Sequence, residues 1–212
     1  MLPSTAKLGG HGVTWTKIHI LLLGAILLPI LYFGVQLVLG PTFPGYDPMT
    51  DAASLLGSDR SPYAAVFNAV ALICGAIGLA GAFGLFGAFR EDRCPFALNL
   101  LILAAVLLAA SGCIWAGVFP LPDPRHRTNP STPALLALPL LFAVAAFAAP
   151  SLKRWRVYFV ANLALMALMV LIMSGVVPVD RAAYGGLLQR FIALAAFSPI
   201  SVAAVALWRT AA

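Results

Sequence analysis

Charge is what this chain has least of. Only 9% of its 212 residues are Asp, Glu, Lys or Arg, against 62% that are hydrophobic, whereas soluble domains carry roughly 25% charged residues. Too few polar groups remain to cover a water-facing surface, so lipid must be the solvent for much of the chain. Histidine is equally scarce. His11, His19 and His126 are the whole complement, with the first two expected at one membrane face and the third at the other. That division excludes a shared histidine cluster for a catalytic zinc, which needs about three protein ligands, and a bis-histidine haem. Cys74, Cys94 and Cys113 suggest neither a disulfide framework nor a metal motif. No metal and no cofactor is expected. A nucleophile elbow, a phosphate-binding Walker loop and a dinucleotide fingerprint are also missing. No acidic or basic residue falls centrally in an apolar stretch, which counts against an ion-coupled pump. Alternating strands of about ten residues, the sign of a membrane barrel, are absent.

What is present is a set of long apolar runs. About 20 such residues in a helix span the hydrocarbon core, and six stretches qualify: 18–39, 63–89, 95–119, 133–150, 157–177 and 191–208. The fourth and sixth are the shortest. The expected fold is all-α, a polytopic membrane bundle of six transmembrane helices with both termini cytoplasmic. Its expected organisation is a cytoplasmic segment 1–17, a transmembrane domain 18–208 and a tail 209–212. The first run exceeds the 7–15 residues usual in a signal peptide and lacks a small-x-small cleavage site, so it is read as a retained helix.

Orientation follows from the basic residues. With the N-terminus in the cytoplasm, Lys7, Lys17, Arg90, Arg93, Lys153, Arg154, Arg156 and Arg209 lie inside. Arg60, Arg125, Arg127, Arg181 and Arg190 then lie outside. Trp15, Trp115, Trp155 and Trp208 fall near span ends, the headgroup level that amphipathic rings favour. The formal charge of +6 is explained by anionic lipid and topogenesis, without nucleic acid. Membrane lipids and other membrane proteins are the expected partners. The Ala/Leu-rich, short-looped style points to a bacterial cytoplasmic (inner) membrane.

The two longest loops, 40–62 and 120–132, fall on the same expected outer face. Three outward-running spans end with a glycine, then a proline, then an aspartate: Gly40, Pro44 and Asp47; Gly117, Pro120 and Asp123; Gly175, Pro178 and Asp180. This is a trace of repeated helical hairpins. Either it makes turns, for which all three residue types are suited, or it gathers three carboxylates on one rim. Within the second span, Ala76, Ala80, Gly84 and Ala88 recur every four residues. Such a ridge of small side chains lets another helix approach closely. Pro29 and Pro199 are expected to kink the first and sixth helices.

The segment Asp51-Ala-Ala-Ser54-Leu-Leu-Gly57, with Tyr63 and Phe67-Asn68 following, resembles the first outer loop and second helix of the bacterial and archaeal family catalogued as domain of unknown function 998. Gly117-Val-Phe-Pro120 followed by His126 is similar to that family's third-helix ending. The resemblance implies a six-helix integral membrane protein and no established activity.

Two classes of function stay open. Neutral polar groups inside the spans and missing catalytic spacing favour a non-enzymatic protein, one that binds a lipid or hydrophobic ligand or serves a membrane complex. Its ligand-binding candidates are Asp47, Asn68 and His126. The rival is an enzyme acting on lipid headgroups through Asp51, Ser54, Asp123 and His126, because a serine nucleophile needs a base within reach. A facilitative transporter is the third reading and requires a continuous polar path.

Overall fold

A computed structural model describes residues 17–209; Lys7, His11 and Trp15 lie outside the described residues. The described chain has six long helices and no strand: α1 (Lys17–Leu39), α2 (Ala64–Glu91), α3 (Phe96–Val118), α4 (Thr132–Ala148), α5 (Arg156–Met173) and α6 (Arg181–Leu207). All six are long and apolar enough to cross a membrane. Large apolar side chains stand on the outside of the bundle, Val157 at 83% and Leu37 at 77% exposure. Only hydrocarbon accommodates a surface of that kind, so this is a multi-pass membrane protein.

Five helices match the apolar runs to within a few residues. The sixth does not: it begins at Arg181, ten residues before the run that announces it. Gln189 and Arg190 interrupt the hydropathy there, yet the helix runs through them because Asp180 caps it. The Asp180 carboxylate accepts the backbone N–H groups of Ala182 and Ala183, at 2.9 and 3.1 Å, which satisfies donors that a helix start leaves orphaned. The shortest helices are therefore α4 and α5, not α4 and α6.

The helices alternate in direction, giving the bundle a long-loop end and a short-turn end. His19 on α1 bonds the carbonyl of Trp208, just past α6, at 3.0 Å, so the start of α1 and the end of α6 meet at the short-turn end. Helix α6 is the central member. It touches α1, α2, α4 and α5, and 56% of its apolar window is buried in protein against 28% for α5.

At the short-turn half, α1 and α2 pack backbone to backbone. A Cβ on Gly81 would sit 2.8 Å from the Ala25 Cα, and one on Gly84 would sit 2.7 Å from the Leu22 nitrogen. Gly75 instead faces Ile114 and Ala110 of α3, and Gly78 lies between Leu28 of α1 and Ala110. A three-residue glycine step drifts around the helix, and here the drift serves both neighbours in turn. The expected alanine ridge is displaced by this: Gly84 and Ala88 are buried, Ala80 is half-buried and Ala76 is exposed. The seam runs along the glycines because a helix wedged between two partners needs small residues on two faces.

Neutral polar side chains tie the remaining helices together. Asn162 on α5 donates to the Ala195 carbonyl on α6 at 2.8 Å. Tyr158 donates to Ser198 at 2.6 Å across the same pair. Asn99 on α3 donates to the Phe86 carbonyl on α2 at 2.9 Å. In lipid such bonds add to packing as the glue between helices.

Candidate functional site

At the long-loop end the helices enclose a cavity of about 200 Å³. It is lined by α1, α2, α3, α4 and α6 together with the 53–54 and 120–131 loop segments. The two loops that form its rim are held down by hydrogen bonds to the helices.

The first loop is fastened to α6. Arg190 donates to the carbonyls of Pro48 and Asp51 at 2.8 and 3.0 Å, and its other terminal nitrogen donates to the Tyr46 hydroxyl. The N–H groups of Gly186 and Leu187 donate to the carbonyls of Thr50 and Met49. This contact demands glycine at 186, where a Cβ would lie 2.7 Å from the Pro48 oxygen. Burial raises the Tyr46 hydroxyl above its ordinary pKa, and the Arg190 guanidinium beside it pulls the other way. Further along, the Ala53 N–H donates to Gln189 Oε1 at 2.8 Å. Asn68 Nδ2 on α2 donates to the Gly57 carbonyl at 2.9 Å. These two bonds secure the short 3-10 turn Ala53–Gly57, which brings Ser54 to the cavity wall.

The second loop is fastened to α3. Trp115 Nε1 donates to the Arg125 carbonyl at 2.8 Å, and Asn129 Nδ2 donates to the Gly112 carbonyl at 2.9 Å. His126 Nδ1 lies 2.8 Å from the Phe119 carbonyl, an acceptor, so Nδ1 donates there and Nε2 has no partner among the described residues.

Of the residues singled out from sequence, the cavity unites Ser54, Asn68 and His126. It leaves Asp47, Asp51 and Asp123 outside its wall. Each aspartate of the repeated endings has a local task, accepting the N–H of the residue two positions on. Asp47 does so for Met49, Asp123 for Arg125 and Asp180 for Ala182, each at 2.9 Å. Asp51 Oδ2 accepts the Asp47 N–H at 2.9 Å. Asp123 also pairs with the Arg125 side chain at 2.6 Å; that hydrogen bonding holds its carboxyl below the usual range. The repeat is thus a repeated turn. The glycines differ: Gly175 is left-handed and stops α5, whereas Gly117 stays within α3. Among the described residues no three His, Cys, Asp or Glu side chains converge as metal ligands would.

A family model described as a protein of unknown function, DUF998, matches residues 26–206. The chain belongs to the DUF998 family. No curated protein and no solved structure matches it. The match takes in both rim loops and every helix lining the cavity.

Sequence reasoning passed over the DUF998 residues that assemble this site. Arg190 and Gln189 read as loop polarity; a capping aspartate nine and ten residues earlier was the signal that they sit on a helix. Asn129 and Ser131 gave no signal at all. The cavity lining contains several polar atoms without a partner among the described residues: the hydroxyls of Tyr32, Ser54 and Ser131, Asn68 Oδ1, and Gln189 Nε2. Among the described residues no Asp, Glu, Lys or Arg lines it. The arrangement therefore offers an apolar chamber with neutral donors and acceptors.

Proposed function

We propose that this protein binds an uncharged hydrophobic or amphiphilic molecule, such as a membrane lipid, without transforming it, in the cavity at its long-loop end. The observation that carries this reading is the lining, apolar and free of formal charge, with neutral polar atoms that no protein group engages. Pockets of that make-up hold ligands by apolar contact and orient them by a few polar groups. The volume exceeds the roughly 150 Å³ of an engineered apolar cavity known to take up benzene. A charged headgroup would meet no counter-ion there and would bear a desolvation cost. The lining also favours a dead-ended chamber over a transport path: on α1, α2 and α4 it uses residues of the long-loop half, and its deepest residue is Phe197, just past the middle of α6.

Native mass spectrometry of gently extracted protein tests the reading. Wild type should carry a neutral lipid or similar species. Ala71→Phe, which fills the cavity from α2, should lose it, and His126→Ala should retain less. Asp123→Asn should retain it fully, since that carboxylate serves Arg125. An identical bound species in all four proteins, or none in wild type, would overturn the proposal.

A second reading rests on Ser54 and His126 both lining the cavity, with His126 Nε2 facing no partner among the described residues and so available as a base. It makes the protein a hydrolase of neutral lipid esters. Serine-directed fluorophosphonate should then label wild type and not Ser54→Ala; absence of labelling counts for simple binding. For orientation, the long-loop end facing outward from a bacterial cytoplasmic membrane accords with the basic-residue bias. Arg127→Cys should then react with an impermeant maleimide added to intact cells.

A further inference from the structure

The opposite end of the bundle holds a second concavity with the reverse chemistry. Beyond α4 the chain makes a 3-10 turn, Pro150–Trp155, that carries Lys153 and Arg154. Arg209 follows the end of α6. These three cations, with Pro150, Ser151 and Ala206, line one open cleft, and among the described residues no acidic one contributes to it. Neither Lys153, Arg154 nor Arg209 has a carboxylate within ion-pair reach among the described residues.

The turn is fixed from beneath. Asp92, only 6% exposed, accepts the Ser151 backbone N–H at 3.0 Å and the Ser151 hydroxyl at 2.6 Å. Leu152 is fully buried. Asp92 is thus committed to the backbone that presents the cations. Arg156, next in the chain, is committed as well: it donates to the Ala146 carbonyl at 3.0 Å and lies over the Phe147 ring. Arg154 rests near the Trp155 ring at 5.6 Å, a contact that leaves its in-plane donors available. What remains is a fixed turn bearing two cations opposite a third, with two planar guanidinium forks suited to bidentate contact with phosphate oxygens.

We propose that the Lys153–Arg154–Arg209 cleft binds a phosphate group, carried either by an anionic lipid headgroup or by a soluble phosphate compound. This goes beyond the cavity reading, uses none of its residues and can fail without it. A general positive-inside bias does not account for the arrangement, because Arg90 and Arg93 supply that bias at the neighbouring turn without lining this cleft.

The test compares Arg154→Gln/Arg209→Gln with Arg90→Gln/Arg93→Gln, which removes the same charge elsewhere at this end. Each full-length protein is titrated with phosphatidylglycerol and with phosphatidylcholine of equal chain length, read by native mass spectrometry. Inorganic phosphate is titrated calorimetrically into each protein in phosphatidylcholine nanodiscs. A lipid headgroup source predicts wild-type preference for phosphatidylglycerol, weakened roughly 30-fold in the cleft variant, or about 5-fold per cation, and no more than a few-fold in the other. A soluble source predicts a phosphate heat in wild type that only the cleft variant loses. Arg154→Lys/Arg209→Lys, which keeps the charge and loses the forks, should bind between wild type and the Gln variant, which separates loss of site from loss of fold. Equal weakening in both double variants would reduce the effect to a diffuse field and overturn the proposal. So would wild type that binds neither probe.

Discussion

Helices α1 and α2 run the length of the molecule side by side, yet their two halves do opposite things. Toward the short-turn end they meet through Gly81 and Gly84, with backbone atoms of Ala25 and Leu22 inside the space a side chain would need. Toward the long-loop end the same helices contribute Tyr32, Val35, Val70 and Cys74 to a cavity wall. Residue size accounts for the difference. The lower half is spaced by glycine and closes; the upper half is spaced by larger side chains and polar bonds to loops, and stays hollow. In a membrane, where apolar burial drives little helix association, the close-packed half supplies rigidity that lets the other half keep an unfilled volume.

The strongest way to break this contrast is to abolish the seam. Gly84→Leu places a branched side chain against α1 backbone, which cannot yield as a flexible side chain would. Overpacking of this kind costs about 3 kcal/mol or more, so thermal unfolding in detergent should shift steeply downward or folded protein should be lost. Gly34→Ala on the upper half of α1, where a Cβ meets nothing within 4 Å, should be tolerated. Equal damage from both would mean the two halves are not packed differently.

Release of the rim comes next. Arg190→Ala removes donors from the carbonyls of Pro48 and Asp51, and hydrogen bonds to charged groups contribute about 1.5–3 kcal/mol each net of the exchange with water. A melting shift of several degrees is expected, together with faster maleimide reaction of a cysteine introduced at Ser54. Unchanged reactivity would show that Arg190 does not hold the first loop. At the other end, Asp92→Ala strips Ser151 of its acceptor and should cost about 1–3 kcal/mol, without altering occupancy of the upper cavity.

The smallest effect belongs to pH. The Asp123 carboxyl, lowered by its hydrogen bonds with Arg125, stabilises its turn at pH values above the ordinary carboxylate pKa of about 3.9. That contribution is lost as pH falls through its own lower value. Tryptophan fluorescence of Trp115, bonded to the Arg125 carbonyl, should report the loosening only in strong acid. Asp123→Asn should remove that transition.

Much of the fold was legible because hydrophobic length is a local property: five of six helices lie where an apolar run announces them. The sixth start was hidden by Arg190, whose charge reads as loop until its partners on residues 46–51 are known. The aspartates of the repeated endings were legible as turn formers for the same local reason. The cavity was not, since it gathers single residues from seven segments and no spacing in the chain records that. Ser54, Asn68 and His126 were candidates by residue type; what brings them together is the pinning of two loops by Gln189, Asn129 and Trp115. The seam was half legible, because small residues every four positions mark one face while α2 in fact serves two.

The attachment of the first loop to α6 also sets an order of events during synthesis. Pro48 leaves the ribosome 142 residues before the arginine that holds it, an interval of roughly 10–30 s at ordinary elongation rates. Helices α2 to α5 emerge during that interval while the 46–53 segment lacks its α6 anchor, and its backbone carbonyls must be satisfied by water or by the insertion machinery. Arrival of the last helix therefore completes the chamber in one step. A nascent chain stalled before Arg181 would expose the 46–57 segment to protease, and one stalled well beyond Arg190 would protect it.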